Sequence, residues 1–462
     1  MTEIEIEYGN SKFLLSSSLN IDIVGMQGAP ELPDPIHAYH GVFNYPFNSD
    51  SLIDVASKKK RRNPKATAVI VVSDNTRPVP YKGKEGMLNF LLQNLLVSGF
   101  HQNEITILIG GGSHREMSPS EIEYMLGLKS SGFNQINVIN HRYDDDKQLM
   151  FIGQSNRGNK IYINKMYFES DLKIVTGLVE SHFMAGASGG PKGICPGIVG
   201  KETLEIFHSA QLLNSEYAKD LQLEYNPVHE ESKEIALNVG CDFLLNVTLN
   251  NNKALSGVFA GDMILAHQKA FEYIKSYVSA PVDKRYNIVL IHAGFVGINH
   301  YQAAKAAVTA SRVVEKNGFI IIVARNTDID PIGSHNYKEL LRLFKETGCN
   351  NFIEKILSPD WQFIHEQWQV QMWAKAFEAV GDENHIIYCA TEISPKDSVL
   401  LPGIFGSDLV EKSSSPSIEE ITELALKYAV QKHLEKNMGN PSVLYLKDGP
   451  YSVPVLSEET NI

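Results

Sequence analysis

The sequence predicts an α/β protein of two domains, each with a mostly parallel sheet. Three observations carry that expectation. Short apolar runs rich in Val, Ile and Leu alternate with amphipathic helical stretches along most of the chain. A second series of the same kind begins near residues 278–285, after Ala280-Pro281 breaks a helical pattern. A length of 462 residues is enough for two hydrophobic cores. The expected division is 1–280 and 284–462.

The elements follow in order. Residues 1–7 alternate acidic and apolar side chains, which suits an edge strand and not a signal peptide. Residues 66–72 read as a buried strand and 84–98 as the helix after it. The next strand, 105–109, ends in Gly110-Gly111-Gly112. A helix over 118–126 starts at Ser118 or Pro119, with Glu121 near the positive end of its dipole. Residues 172–179 form a strand, 204–216 a helix, and 261–277 a longer helix with apolar residues at helical spacing. In the second half, the expected elements are strand 286–291, helix 300–316, and strands 318–324 and 386–389. Residues 413–417 read as a loop and helix start.

Composition narrows the function classes. A net charge of −12 and a pI near 5.7 argue against a nucleic-acid binder, which would need a basic face. The basic run Lys58-Lys59-Lys60-Arg61-Arg62 reads as a solvated helix end before a buried strand. No apolar run approaches the ~20 residues of a spanning helix, so no membrane partner is expected. The four cysteines are scattered without a C-x-x-C pair, which argues against a structural zinc site or a disulfide framework. A cytoplasmic protein is expected.

Open α/β sheets bind ligands at the carboxyl ends of their strands, and four loops in such places carry chemistry. The first, Ser73-Asp74-Asn75-Thr76-Arg77-Pro78, offers hydroxyls, a carboxylate and a guanidinium fork for ribose, phosphate or another anion. It also reads as a plain Asx-turn. The second, Gly110-Gly111-Gly112-Ser113-His114-Arg115, combines room for a close ligand with a histidine at a helix start. The third, residues 180–197, holds His182, Ser188-Gly189-Gly190-Pro191 and Lys192, and its backbone amides suit a phosphate-like group. It has neither Walker spacing nor G-x-G-x-x-G, so neither a P-loop protein nor a nicotinamide dehydrogenase is expected. His208 lies on the helix that follows. The fourth loop, 294–305, puts Tyr301 and Lys305 on one helical face beside Gln302.

Together, Asp74-Asn75-Thr76-Arg77-Pro78, Gly112-Ser113-His114-Arg115, residues 182–197, His208, Tyr301-Gln302-Ala303-Ala304-Lys305 and Gln367-Trp368-Gln369 resemble the lactate racemase family. The resemblance runs from about residue 65 to 375. It implies a nickel-pincer nucleotide, a pyridinium mononucleotide whose two sulfur-bearing substituents pinch Ni(II) and which a lysine, here Lys192, can join through a thioamide. By the same resemblance His208 completes the planar donor set of the metal. Asp74, Thr76, Arg77, Ser188, Gly189 and Gly190 are implied to hold the ribose and phosphate.

The implied reaction is racemisation or epimerisation of a 2-hydroxy acid. One histidine takes the hydroxyl proton while hydride leaves C2 for the cofactor, and the 2-oxo acid accepts hydride back on either face. His114 and His182 are the implied pair. Arg77 and Lys305 would clamp the carboxylate and the C2 oxygen, Tyr301 and Gln302 would orient the substrate, and Trp368 would wall the pocket. Because these groups come from both halves, the resemblance implies a cleft between the domains as the active site. The implied partners are the small 2-hydroxy acid and cofactor-synthesis enzymes acting upstream.

Some residues depart from the family pattern. Pro191 stands where arginine is common, and Cys195 where an aliphatic residue is ordinary. His300, just before Tyr301, points to a substrate other than lactate, larger or with an extra polar group. Two rival readings share the scaffold: a sugar-acid epimerase with the same cofactor, and a non-catalytic nucleotide- or metal-binding protein. The presence of all three histidines and both cationic clamps favours catalysis.

Overall fold

All five residues of the Ala68–Val72 strand are buried, and four of them are Val or Ile. A run that is apolar on both faces belongs in a parallel sheet covered on both sides. In the computed structural model, which describes residues 2–410, 416–436 and 439–457, this strand lies within a six-stranded sheet. Across that sheet the order is Leu255–Gly261, Phe243–Leu249, Leu172–Leu178, Ala68–Val72, Ile105–Ile109 and Asn137–Asn140. Only Leu255–Gly261 is antiparallel to its neighbour. Numbered along the chain, this is the 3-2-1-4-5-6 order of doubly wound dinucleotide-binding sheets. Its direction reverses between Ala68–Val72 and Leu172–Leu178, and such switch points are where these sheets take ligands.

The chain divides into two units, Gly28–Ser276 and a second formed by Met1–Gln27 with Tyr277–Ile462. The sheet just described belongs to the first. The second unit has its own six-stranded sheet, in the order Ile404–Phe405, Ile386–Cys389, Val314–Val323, Tyr286–His292, Val443–Leu446 and Ile21–Val24, parallel throughout. Its core gathers Ile288, Leu290, Ile321, Ile387 and Tyr445 with Ile4, Ile6 and Phe13 of the N-terminal hairpin. The first residues of the chain, expected in the N-terminal domain, therefore fold with the C-terminal unit. Ile21–Val24 satisfies the open edge of Val443–Leu446, a pairing between residues too distant for any local pattern to reveal.

Most expected elements are present, with instructive differences. The helix Pro119–Leu126 has a capping box in which Ser118 and Glu121 exchange hydrogen bonds. The acidic N-terminal strand Thr2–Tyr8 pairs with Ser11–Ser17 in a hairpin. The helix expected over 204–216 is two short helices, Lys201–Phe207 and Ala210–Leu213, with His208 at the cap of the first. The helix Met263–Val278 ends just before Ala280-Pro281, as expected, and those two residues lie in the strand Ser279–Val282. The helix expected to reach 316 ends at Ser311, and Val314–Val323 is already strand. The basic run closes the helix Leu52–Arg62, where Lys59 and Lys60 pair with Asp242 and Glu104 at 2.7 and 2.6 Å. Residues 413–415 of the expected 413–417 loop lie outside the described residues. Among the described residues, no helix is long and apolar enough to cross a membrane.

Candidate active site

In the unit Gly28–Ser276, the loops after Ala68–Val72, Ile105–Ile109 and Leu172–Leu178 carry the predicted groups. Asp74 is buried, and its carboxylate accepts His114 Nδ1 at 2.6 Å and the Thr76 hydroxyl at 2.5 Å. Burial alone would raise its pKa. The His114 hydrogen bond and charge, with the Thr76 bonds, outweigh burial and hold it below the usual carboxylate range. Asp74 and Thr76, expected to hold ribose or phosphate, are thus engaged with His114 and with each other. Arg77 forms an ion pair with Glu180. Burial lowers the Arg77 pKa, and the charge of Asp74 opposes that.

Lys192 lies over the Phe207 ring at 4.6 Å. Desolvation first, and the Arg77 charge second, push its pKa down to about 7. An amine with that value is in large part neutral at physiological pH and nucleophilic. Phe207 in turn meets His208 edge-on at 4.8 Å. His208 Nδ1 lies 3.1 Å from the Leu204 carbonyl, so Nδ1 donates and the ring lone pair sits on Nε2. Metal-binding histidines are oriented in this way.

The glycine turn does something other than what its sequence suggests. The Gly190 amide donates to Asn246 Oδ1 at 2.9 Å, and the Ser188 amide to the Glu180 carbonyl at 2.9 Å. The Ser188 hydroxyl donates to the Leu178 carbonyl at 2.8 Å, while His267 Nε2 donates to the Ser188 carbonyl at 2.9 Å. Gly190 has φ +50°, and a Cβ there would meet the His267 ring at 2.4 Å. Its lack of a side chain admits a protein ring. Likewise, the Gly112 amide donates to the Gly197 carbonyl at 3.0 Å, so the second glycine loop packs on the third.

Asn246, His267 and Glu180 were not assigned roles from sequence. Asn246 had left a signal, as the polar residue in the middle of the apolar run Phe243–Leu249. His267 is stacked on His229 with ring centroids 5.8 Å apart. Desolvation lowers both, to about 4 and about 3, so both are neutral at pH 7. Cys195 is buried and burial pushes its thiol up, as expected of a packing residue.

In the other unit, Asn299 caps the helix His300–Ser311 by accepting the Gln302 amide at 2.9 Å. Tyr301, Gln302 and Lys305 stand half-buried in its first turns. Trp368, from the helix Gln367–Val380, donates its indole N–H to the Tyr301 hydroxyl at 2.9 Å. Gln369 donates to the Tyr301 carbonyl at 2.5 Å. The structure thus joins Tyr301 and Trp368 directly. His300 is a correction: it does not face a substrate edge but is buried, stacked on Trp373 at 4.3 Å and bonded to the Tyr337 hydroxyl at 2.8 Å. Desolvation lowers its pKa to about 3. As a neutral core residue, it gives no information on substrate size.

Among the described residues, no group of three His, Cys, Asp or Glu side chains could hold a metal ion alone. The residues fit a group that brings its own donors: Lys192 offers a neutral amine and His208 one oriented imidazole. The Gly190 and Ser188 amides do not contribute to that fit, because they are already bonded.

A histidine–aspartate pair, an arginine and a lysine of lowered pKa thus stand on loops at the carboxyl ends of a doubly wound sheet, where such folds take ligands. Comparison with known proteins identifies the family. A family model for the lactate racemase N-terminal domain matches residues 7–220. The lactate racemase of Lactiplantibacillus plantarum is 30% identical over 352 residues, 76% of this chain and 78% of that protein. That of Thermoanaerobacterium thermosaccharolyticum is 30% identical over 333 residues, 71% of this chain and 74% of that one. The solved structure of the latter organism's lactate racemase apoprotein superposes with a TM-score of 0.80 at 25% identity, covering 98% of this chain and all of that one. A Thermotoga maritima protein shares the fold, with a TM-score of 0.60 at 20% identity over 89% of this chain and 99% of that one. The chain belongs to the lactate racemase family, and it is an isomerase of that type.

Proposed function

We propose that this protein racemises or epimerises a small 2-hydroxy acid, using a nickel-pincer nucleotide held through Lys192 and His208. The observation that carries the proposal is the Asp74–His114 pair, set beside Arg77 and Lys192. When bound, the cofactor would supply a hydride acceptor. The protein's own groups would do the rest. His114 would take the hydroxyl proton at Nε2, with Asp74 holding Nδ1 and stabilising the imidazolium. Arg77 would bind the substrate carboxylate in exchange for Glu180. Lys305, Tyr301, Gln302 and Trp368 are assigned to the same substrate by family resemblance, and the Trp368–Tyr301 bond supports treating them as one set. His182 is assigned to the substrate's other side on the same ground. We place the protein in the cytoplasm, where its free cysteines would stay reduced.

The test is to express the chain with the cofactor-synthesis enzymes and offer chiral lactate, malate, aromatic 2-hydroxy acids and aldonates. Loss of stereochemical purity identifies the substrate, and retention of a C2 deuterium label through inversion identifies hydride transfer. Retained purity with every acid, from protein that carries the cofactor, would favour the non-catalytic binding protein instead.

A further inference from the structure

We infer that His114 and His182 are not an interchangeable pair: His114 is held as a proton acceptor at Nε2, and His182 as a neutral hydrogen-bond donor at Nε2. His114 Nδ1 lies 2.6 Å from Asp74 Oδ2. An ionised carboxylate only accepts, so Nδ1 carries a proton, and in the neutral ring the lone pair then sits on Nε2. The His182 ring is set the other way. Its Nδ1 accepts the backbone N–H groups of both Met184 and Ala185, each at 3.2 Å. A nitrogen receiving two N–H bonds cannot carry its own proton, so the proton of the neutral ring is on Nε2.

The turn that supplies these amides is tied down from a later segment. Asp220 accepts the Ser181 hydroxyl at 2.6 Å, the Leu221 amide donates to the Gly186 carbonyl at 3.0 Å, and Asn226 Nδ2 donates to the Met184 carbonyl at 3.0 Å. Asp220 and Asn226 are therefore positioning residues for His182.

The consequence, which rests on the racemase reading, is kinetic. His114 can take a substrate hydroxyl proton directly. His182 can polarise a substrate oxygen as it stands, but accepting a proton at Nε2 requires giving up two amide bonds. The equilibrium constant between enantiomers is unity, so kcat/KM must match in the two directions and the asymmetry falls on kcat and KM together. The enantiomer served by His114 is expected to show the higher kcat, by on the order of tenfold for two lost hydrogen bonds.

The tautomers can be read without turnover. The full-length protein, labelled at its histidine ring nitrogens, is examined by NMR at neutral pH, with the signals assigned by His114→Gln and His182→Gln. The expected result is a protonated Nδ1 in His114 and a protonated Nε2 in His182. The same tautomer in both would overturn the inference. If a variant does not fold, diethyl pyrocarbonate, which attacks a ring lone pair, serves instead, with the adducts located by mass spectrometry. His114 should then react at least about tenfold faster than His182, and equal rates would refute the assignment. Opposite tautomers without racemisation of any acid would remove the racemase reading alone. Racemisation with matching tautomers would remove only this inference.

Discussion

Replacing Asp74 by asparagine keeps its shape and removes its charge. Asp74 is 5% exposed and bonds His114 at 2.6 Å and the Thr76 hydroxyl at 2.5 Å. A hydrogen bond to a charged partner contributes about 1.5–3 kcal/mol, and Coulomb attraction to an imidazolium would add to it in a low-dielectric site. The His114 side chain, however, is 55% exposed, so solvent screens most of that addition. The analogous change in a serine-protease triad lowers kcat about 10⁴-fold, where the histidine is enclosed. Here the expected loss is smaller, about 10- to 150-fold in kcat with KM little changed. Initial rates on cofactor-loaded enzyme, followed by chiral chromatography, measure it. A variant within about threefold of wild type would refute the claim that Asp74 acts through His114.

The same variant has a signature in stability. Because its folded pKa lies below the ordinary value of 3.8, Asp74 contributes stability above that value and loses it as pH falls through the folded pKa. The melting-temperature gap between wild type and Asp74→Asn should therefore close as pH drops below about 3.8. A gap that widens on acidification would show that the carboxylate is not stabilised as described.

Three further outcomes are expected. Lys192 has a folded pKa of about 7 against an ordinary 10.5, so the folded state binds fewer protons between those values and wild type gains stability relative to Lys192→Met as pH rises through that window. Urea unfolding of both proteins across the window checks this, and a constant difference contradicts it. Glu180→Gln should release Arg77 and lower KM for an anionic substrate by about three- to tenfold, read from saturation curves; an unchanged KM would mean that Glu180 does not compete. Gly190→Ala forces a Cβ to 2.4 Å from the His267 ring at φ +50°, and denaturant melts should show a loss of about 1–3 kcal/mol. A variant as stable as wild type would mean that the turn yields easily.

The strands around the site were legible because each is a continuous apolar run. Ala68–Val72, Ile105–Ile109 and Leu172–Leu178 stand within two residues of their expected bounds. So were the loops that follow them, since an aspartate, a histidine or a lysine at the carboxyl end of a buried strand invites a chemical reading. What packs beside the glycines was not legible. Gly112 and Gly190 suggested room for a ligand, because sequence records only that a side chain is missing, not what fills the space. His300 misled for the opposite reason: its neighbours Trp373, Tyr337 and Tyr388 come from later in the chain. The unbroken helix expected near His208 failed because Ser209, a serine of the kind that starts helices, caps a second short helix there by accepting the Leu212 amide.

By itself, the sequence determined the α/β class, the family and the set of chemically able residues, since these follow from periodicity and from which groups stand where along the chain. Only the tertiary structure decided what those groups do to one another. That Asp74 serves His114, that Glu180 holds Arg77, that Asn246 and His267 occupy the glycine turn, and that Ile21–Val24 completes the second unit's sheet are all contacts between segments distant in sequence. Hydrogen bonds and ion pairs act over a few ångströms of space, and only folding sets which residues come that close.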